Sequence, residues 1–442
     1  MSIREFRAVY TTGLLLVALA LSVAGCRKSS PGSASPGDSA ANEERLRSLP
    51  YVGFSSEKVG DKSGVVHYEK QRAWPGYNLY TSLNLCRADL VDMEGKAIKS
   101  WSNPDCEQWS TAQLLPNGDV VVAGMRAIHN KSAEEYQKAA YLLRMTWNGE
   151  RVWQVPVSAH HNFNVTPEGN LAVLTAGWRL IPEYDANHEV REHGIAIVSP
   201  EGKVLQTASL YDLLTSNPGE FTLQKVGKTG GDGVFGKDDI DLFHSNMIEF
   251  MHWPGLVSRS PIYSLENALV TVRHQNTMAI IDWPRKKLIW AWGQGVLSGP
   301  HYGHVLENGN ILVFDNGLKR GWSRVIELDP LAKKIVWEYK APNPKDFFTV
   351  SGGGAERLPN GDTLITNTRE GQVFEVTPNG EMVWEFFNPR GDKEGHRATV
   401  SGMRRYDASF VEGLIARNGG KPEPPAKSVS TPAASAPQGK GR

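Results

Sequence analysis

Short runs of apolar, often β-branched residues recur along this chain, and turn dipeptides separate them. The runs include VVVAG, NLAVLTAG, NILVFDNG and TLITNT. Asn-Gly and Glu-Gly pairs tolerate the positive φ that tight hairpin turns require. Such pairs lie between the runs at Asn117-Gly118, Asn148-Gly149, Glu168-Gly169, Glu201-Gly202, Asn308-Gly309, Asn360-Gly361 and Asn379-Gly380. Because no stretch between them shows a convincing helical periodicity, the pattern predicts an all-β chain.

The apolar runs also form a repeat. A turn followed by an apolar run ends at Trp101, Trp153, Trp290, Trp337 and Trp384, and a weaker copy has Val204 at the same point. The copies are roughly 50 residues apart, except for one longer step, and this period is typical of four-stranded propeller blades. We therefore expect a six-bladed β-propeller over residues 51–417, with the tryptophans packed between blades.

The longer step contains residues 211–241, which show no clear strand pattern. A long irregular segment inside a compact domain is usually functional or disordered, and we interpret this one as an insertion that covers one mouth of the propeller. Its aspartates do not have the alternate spacing of a calcium-binding loop. They are Asp232, Asp238, Asp239 and Asp241.

The N-terminus has the pattern of an export signal. Arg4 and Arg7 precede a short apolar stretch that ends in Val23-Ala24-Gly25-Cys26, which resembles a bacterial lipobox. This predicts a lipoprotein signal peptide over residues 1–25 and lipidation of Cys26; an ordinary secretory signal is the alternative. Residues 26–50 read as a flexible tether and residues 418–442 as a disordered tail. Because Arg27 follows Cys26, we expect a periplasmic protein with its lipid anchor in the outer membrane.

Charge and cysteine content narrow the picture further. The 48 basic residues balance the 48 acidic residues, which gives no electrostatic case for nucleic acid as a partner. Cys86 and Cys106 remain after Cys26. In an exported protein they can pair, although two buried free thiols are the alternative. The oligomeric state stays open.

Two histidines occupy the same step of the repeat. His161 and His301 each lie eight residues before a turn glycine, in HNFNVTPEG and HYGHVLENG. By the same alignment Arg273 ends a returning strand at that rim, and His244 begins the first strand of the same blade. We therefore expect three histidines and one arginine, from three blades, to converge at one mouth.

Such a cluster suits an anionic tetrahedral group. Arginine offers a fork of donors to its oxygens, and imidazole can donate, transfer protons or attack. Asn246 adds an amide donor nearby. Three histidines also allow zinc or copper, but the arginine opposes a cation and no carboxylate accompanies the histidines in these motifs, so we predict no metal. The other nearby histidines are interpreted as structural: His160, His252, His274 and His304.

Several segments resemble, in order, the motifs of the bacterial arylsulfate sulfotransferase (ASST) family. They include AHHNFNVTPEGNLAVL, DLFHSNMIEF, LVTVRHQNTMAIID and PHYGHVLENGNILVFDNG. The resemblance implies transfer of a sulfuryl group from a phenolic sulfate ester to a phenolic acceptor, without a cofactor. It implies a ping-pong mechanism with His301 as the nucleophile, while His161, His244 and Arg273 neutralise charge and Asn246 contacts a sulfuryl oxygen.

Two other functions remain open at this point. A non-catalytic propeller lipoprotein could scaffold envelope proteins or bind a ligand, and it would need no reason for the four residues to share a rim. A redox propeller with a quinone would need a metal site, for which no motif is present. The natural donor and acceptor stay undetermined, and so does the division of acid and base roles between His161 and His244.

Overall fold

The computed structural model of the protein describes residues 52–60, 62–128, 132–228 and 240–419. The predicted signal peptide, the lipidation site Cys26 and the tether lie outside the described residues, as do residues 420–442 of the predicted tail. Asp232, Asp238 and Asp239 of the insertion also lie outside them. Among the described residues, no helix is both long and apolar enough to cross a bilayer.

Strands dominate the described chain. In chain order they are β1 (Phe54–Lys58), β2 (Gly64–Tyr68), β3 (Tyr77–Ser82), β4 (Arg87–Val91), β5 (Ala97–Ser102), β6 (Gln108–Leu114), β7 (Val120–Met125), β8 (Ala140–Met145), β9 (Arg151–Val155), β10 (Ala159–Val165), β11 (Leu171–Leu180), β12 (Glu189–Val198), β13 (Val204–Ser209), β14 (Ser245–Phe250), β15 (Asn267–Val272), β16 (Thr277–Asp282), β17 (Lys287–Trp292), β18 (His301–Val305), β19 (Ile311–Asp315), β20 (Arg324–Asp329), β21 (Lys334–Tyr339), β22 (Gly354–Arg357), β23 (Thr363–Asn367), β24 (Gln372–Val376), β25 (Met382–Phe387), β26 (His396–Ala398) and β27 (Val400–Tyr406).

Three α-helices accompany the strands: α1 (Ala133–Ala139), α2 (Leu210–Thr215) and α3 (Ala408–Arg417). Ser132, Ser209 and Asp407 cap their N-termini through side-chain oxygens. The predicted all-β class is confirmed, and these three short helices are additions that the sequence pattern did not indicate. The helices are short, and periodicity over one to three turns is too weak a signal to detect in sequence.

The strands form the predicted six-bladed β-propeller. Blades two to five are consecutive antiparallel meanders, β6–β9, β10–β13, β14–β17 and β18–β21. Blade one has the order β27-β3-β4-β5, so the C-terminal strand is its innermost member. Blade six has the order β22-β23-β24-β25-β2, so an N-terminal strand is its outermost member. Each end of the chain thus completes a blade that belongs mainly to the other end.

The turn dipeptides lie where the pattern predicts them. All seven of their glycines have positive φ, between 83° and 91°, which confirms the hairpin interpretation. They join first to second strands or third to fourth strands, so they share one rim. The starts of the innermost strands consequently lie at the opposite rim.

The repeated tryptophans join neighbouring blades, as predicted. Each indole N–H donates to a carbonyl in the next blade, over 2.8–3.2 Å: Trp101 to Thr146, Trp153 to Pro200, Trp290 to Pro330, Trp337 to Pro378 and Trp384 to Met93. In blade three the prediction of Val204 at this point was wrong, because the strand register places Gln206 there and leaves Val204 exposed. Helix α2, which follows this strand, buries Leu210, Leu213 and Leu214. The structure also joins Cys86 and Cys106 in a disulfide within the first blades.

The described part of the insertion lies against blade four. Asn217 donates to the Leu288 carbonyl at 3.2 Å, and Gln275 exchanges two hydrogen bonds with the backbone of Gln224 at 2.9 and 3.2 Å. Gln275 follows Arg273 and His274 in the chain, so this segment borders the rim where the predicted site lies. Residues 229–239, its remaining part, are outside the described chain.

Candidate active site

Backbone irregularities aim the site side chains. The first strand of each of blades three, four and five carries a register shift near its start, at Ala159/Phe163, Ser245/Met247 and His301/Gly303. A bulge adds a residue to one strand and re-aims its side chain. His161 and His244 have φ of 54° and 45°, a left-handed backbone that turns each imidazole out of the regular strand alternation.

His161 and His244 meet across blades three and four. Their Nε2 atoms lie 3.0 Å apart. Around them stand three more imidazoles, and we call the five together the imidazole cluster: His160, His161, His193, His244 and His274. Ring centroids within it lie 3.8 Å apart for His160 and His161 and 4.7 Å apart for His244 and His274.

A buried carboxylate supports this cluster. Oδ2 of Asp241 lies 2.5 Å from Nδ1 of His244, and its Oδ1 accepts from the His244 backbone N–H at 3.1 Å. Arg191 Nη1 donates to Oδ2 at 3.1 Å. The expectation that no carboxylate accompanies the histidines was therefore wrong: Asp241 is three residues before His244, at the end of the insertion, and is 4% exposed.

Backbone pairing holds Asp241 in place. The Arg191 N–H donates to the Ile240 carbonyl at 2.8 Å, and the Leu242 N–H donates to the Arg191 carbonyl at 3.1 Å. The segment around Asp241 thus pairs with β12 of blade three, while the next residues begin blade four. The carboxylate therefore sits at the junction of the two blades that carry His161 and His244.

Arg273 is oriented by its neighbour. His274 Nδ1 lies 2.6 Å from the Asp241 carbonyl oxygen, so this nitrogen carries the proton and donates. Its Nε2 is then an acceptor, and Arg273 Nη1 donates to it at 2.8 Å. Arg273 Nη2 also donates to the Val350 carbonyl at 3.3 Å. The guanidinium is 1% exposed, which makes it a fixed positive charge beside the histidines.

His301 is held in one tautomer by blade five. Its Nδ1 lies 2.6 Å from Oδ1 of Asn316 and 3.1 Å from the Gly299 carbonyl, so Nδ1 carries the proton. Asn316 cannot rotate its amide, because Nδ2 donates to the carbonyls of Thr349 and Gly352 at 2.8 and 2.7 Å. Nε2 of His301 then has a lone pair, which accepts from the Gly352 N–H at 3.1 Å.

Burial keeps these imidazoles neutral. Desolvation, assisted by the Arg273 charge, lowers the pKa of His301 to about 3, although its bonds to Asn316 and Gly299 oppose the shift. Burial also lowers the pKa of His161 well below its usual value, and the nearby His301 adds to that effect. Burial likewise lowers the pKa of His244, against the opposing carboxylate of Asp241. The site therefore presents neutral imidazoles beside a permanent cation.

The structure brings together all the residues that the sequence placed at this mouth. His161, His244, Arg273 and His301 come from blades three, four and five, and they are not dispersed over separate blade cores. Asn246 is nearby, and its amide donates to the Pro300 carbonyl at 3.1 Å, directly before His301. His304 lies elsewhere in the same strand, with Nδ1 3.0 Å from Glu249 Oε1.

Sequence reasoning missed part of the site. His160 and His274, interpreted as structural, belong to the imidazole cluster, and His193 and Arg191 on β12 were not predicted as part of the site. Arg191 connects Asp241 to Tyr136 of helix α1, whose hydroxyl accepts from Nη2 at 2.9 Å. The HH pair at 160–161 was a usable signal, because residues next to a bulge can face the same cavity.

Two residue sets at this site meet the spacing of a metal site: His160, His161 and His244, and Asp241, His244 and His274. Existing hydrogen bonds oppose both. His274 uses one nitrogen to donate and the other to accept, so it has no lone pair for a metal. His160 Nδ1 accepts from Arg191 Nη2 at 3.2 Å, which leaves the proton on Nε2. Only His161 and His244 then remain as ligands, which is fewer than a zinc site uses. The residues therefore suit an anion better than a metal ion.

The fold and the site define a six-bladed β-propeller with a buried histidine–arginine centre at one mouth. The arylsulfotransferase (ASST) family model matches residues 111–389, more than half of the chain, and the chain belongs to that family. Membership supports aryl sulfotransferase activity and phenolic substrates in general terms. No protein with curated annotation matches the sequence significantly.

Solved structures with similar folds share little sequence with this chain. A protein of unknown function from Bacteroides caccae is 14% identical, with a TM-score of 0.47 and coverage of 75% of this chain and 98% of that one. A virginiamycin B lyase from Staphylococcus aureus is 12% identical, with a TM-score of 0.40 and coverage of 73% and 87%. The periplasmic gluconolactonase of Pseudomonas aeruginosa is 10% identical, with a TM-score of 0.40 and coverage of 74% and 98%. Similarity at this level carries no information on activity.

Proposed function

We propose that the protein is an aryl sulfotransferase that moves a sulfuryl group from a phenolic sulfate ester to a phenolic acceptor through a sulfohistidine at His301. The observation that carries this proposal is the state of His301. Its Nδ1 is protonated and bonded to Asn316 at 2.6 Å, and its Nε2 has the lone pair that a nucleophile needs. Its low pKa leaves that lone pair free of protons at neutral pH.

In the first half-reaction, Nε2 of His301 attacks sulfur and the S–O bond to the phenol breaks, with the electron pair leaving on the phenolate. The Gly352 N–H, which now bonds Nε2, is released toward a sulfuryl oxygen. Arg273 neutralises negative charge on the sulfuryl oxygens, where a fixed cation in a dry site is most effective. Asn246 lies close enough to the His301 strand to add an oxygen contact.

In the second half-reaction, a phenol takes the sulfuryl group. A new S–O bond forms, the S–Nε2 bond breaks and its electron pair returns to His301. The phenolic proton passes to one of the two facing imidazoles, His161 or His244. That imidazole then gives the proton to the next leaving phenolate or to water, which restores the neutral site without any cofactor, as the ping-pong scheme requires.

The sulfohistidine provides the test. Incubation with 4-nitrophenyl sulfate in the absence of acceptor is expected to release one equivalent of nitrophenolate per protein and to leave sulfate on the peptide that contains His301, detected by mass spectrometry. His301→Ala removes both signals. His304→Ala is the matched control, because His304 lies on the same strand and bonds Glu249 instead. If the wild-type protein releases no nitrophenolate with or without a phenolic acceptor, the proposal is wrong for these substrates.

The cellular setting is proposed on the sequence alone. We place the protein in the periplasm, held at the outer membrane by lipid on Cys26. Metabolic labelling with a palmitate analogue tests this, because Cys26→Ser should lose the label while the wild-type protein keeps it.

A further inference from the structure

We propose that His244 is the group that moves the phenolic proton and that Asp241 is the positioning residue that prepares it. This inference rests on the proposed sulfotransferase reaction and deepens it, because symmetry of the two facing imidazoles leaves their roles undivided. The hydrogen bonds around them remove that symmetry.

The carboxylate fixes the tautomer of His244. An ionised carboxylate only accepts hydrogen bonds, so the 2.5 Å contact of Asp241 Oδ2 requires the proton on Nδ1 of His244. Nε2 of His244 then has a lone pair. Because two lone pairs would repel at 3.0 Å, Nε2 of His161 must carry a proton and donate it to His244. His244 is therefore the base and His161 the donor.

The surroundings keep Asp241 ionised. Burial alone would raise its pKa, but four neighbours reverse this and lower it well below the usual value: His244, Arg191, His274 and His193. The position of His193 also favours the ionised carboxylate. Its Nδ1 accepts from the Ser245 N–H at 2.9 Å, so its proton is on Nε2, which lies 3.3 Å from Oδ1 of Asp241. A permanent negative charge on one side of His244 stabilises the imidazolium that forms when Nε2 takes a proton.

His160 strengthens the division of roles. Its Nδ1 accepts from Arg191 at 3.2 Å, so its Nε2 is a donor, and this buried Nε2 has no hydrogen-bond partner. Its ring centroid lies 3.8 Å from that of His161 and 5.3 Å from that of His244. A buried unpaired donor is uncommon, and it fits a site in which His160 donates to a substrate oxygen while His244 accepts the phenolic proton.

The cycle balances with these roles. In the second half-reaction the phenolic O–H bond breaks, its proton goes to Nε2 of His244, and the oxygen forms the bond to sulfur. In the first half-reaction that imidazolium returns the proton to the leaving phenolate. A donor whose phenolate leaves readily as an anion does not need this proton. The charged and titratable groups facing His244 are Asp241, Arg191, His160, His161, His193 and His274.

Asp241→Asn tests the proposal through the two half-reactions separately. The nitrophenolate burst from 4-nitrophenyl sulfate should change only a few-fold, because that phenolate needs no acid. Transfer from the loaded enzyme to phenol should fall roughly 10²–10⁴-fold, the usual contribution of general acid–base catalysis. It should recover as pH approaches the pKa of phenol, and it should fall little with pentafluorophenol, which is already ionised at neutral pH.

Asp89→Asn is the matched control. Asp89 lies on β4 of blade one, is 1% exposed, and pairs with Arg87 on the same strand and with Arg390 after β25 of blade six, outside the blades that carry the cluster. It should leave both half-reactions and their pH profiles unchanged. Equal slowing of burst and transfer in Asp241→Asn, or no slowing of either, would overturn the inference while leaving the sulfotransferase intact. Absence of a burst in the wild-type protein would instead refute the sulfotransferase itself and the inference with it.

A second measurement needs no active variant. In the wild-type protein, the Nδ1–H of His244 should give a far-downfield proton resonance coupled to an Nδ1 nitrogen, assigned by its loss in His244→Gln. If histidine-labelled protein shows His244 protonated at Nε2 instead, the assignment of base and donor is wrong.

Discussion

Replacing Asn316 with alanine tests how the Asn316 amide prepares His301 to act as a nucleophile. The fully buried amide makes three hydrogen bonds: it accepts from Nδ1 of His301 and donates to the carbonyls of Thr349 and Gly352. Asn316→Ala leaves one ring N–H and two carbonyls with fewer partners. Each such group costs about 1–3 kcal/mol, so the free energy of unfolding should fall by about 3 kcal/mol or more.

The effect on catalysis should be larger than this loss suggests. Without Oδ1, the proton of His301 is no longer held on Nδ1, and an imidazole protonated at Nε2 cannot attack. Loss of the carboxylate that sets the tautomer in a serine protease lowers the rate about 10⁴-fold. A neutral amide has a weaker hold, and the Gly299 carbonyl remains at 3.1 Å, so we expect roughly 10²–10³-fold slowing of the nitrophenolate burst.

Single-turnover measurement of nitrophenolate release, beside urea unfolding, separates the two effects. Asn388→Ala is the control, because Asn388 is equally buried and its amide donates to Ser82 Oγ at 2.9 Å away from the site. The control should lose stability and keep its burst rate. The reasoning fails if Asn316→Ala, measured under conditions where it is folded, retains a burst rate within a few-fold of Asn388→Ala.

Three further outcomes are expected. Burial lowers the pKa of His160, His161, His193, His244 and His301 in the fold, whereas unfolded histidines take protons near pH 6.5. The free energy of unfolding is therefore highest above that pH and falls as the pH falls, by up to about 1.4 kcal/mol per pH unit for each histidine. Equal urea midpoints at pH 7 and pH 5 would contradict this. Trp384→Phe, which leaves the Met93 carbonyl unpaired, should cost about 1–3 kcal/mol. Trp337→Phe should lower the free energy of unfolding by less, because its junction is more exposed. A larger loss in Trp337→Phe than in Trp384→Phe, measured by urea unfolding, would argue against a stabilising role of the interblade bonds. Reduction of the Cys86–Cys106 disulfide, which spans 20 residues, should cost about 3 kcal/mol, so an unchanged melting temperature with dithiothreitol would count against it.

Much of the architecture could be predicted because the signals repeat. Trp101 and its four counterparts mark the same step in five blades, and each turn glycine repeats a local requirement on φ. His161 and His301 inherit a common position from that repeat. A helix such as α2 could not be predicted, because it has only six residues and does not recur in the other blades.

The inner organisation of the site could not be predicted for the same reason. Asp241 lies in an insertion that occurs once, and its link to β12 depends on pairing between residues 50 positions apart. His193 lies in the third strand of its blade, where no matching histidine in another blade draws attention to it. The sequence repeat therefore predicts at which rim a side chain lies. The histidine tautomers depend on contacts that occur only once and could not be predicted from it.

The shared closure of the ring affects how strands β2 and β27 behave. Strand β27 pairs with β3, and β2 pairs with β25, so both strands are bonded to residues more than 300 positions away. In most proteins the ends fray first and exchange their amide hydrogens fastest. Here neither β2 nor β27 can detach without opening a blade built by the other half of the chain. Amides in the C-terminal strand should accordingly exchange as slowly as those of blade four, and the whole ring should open as one cooperative unit.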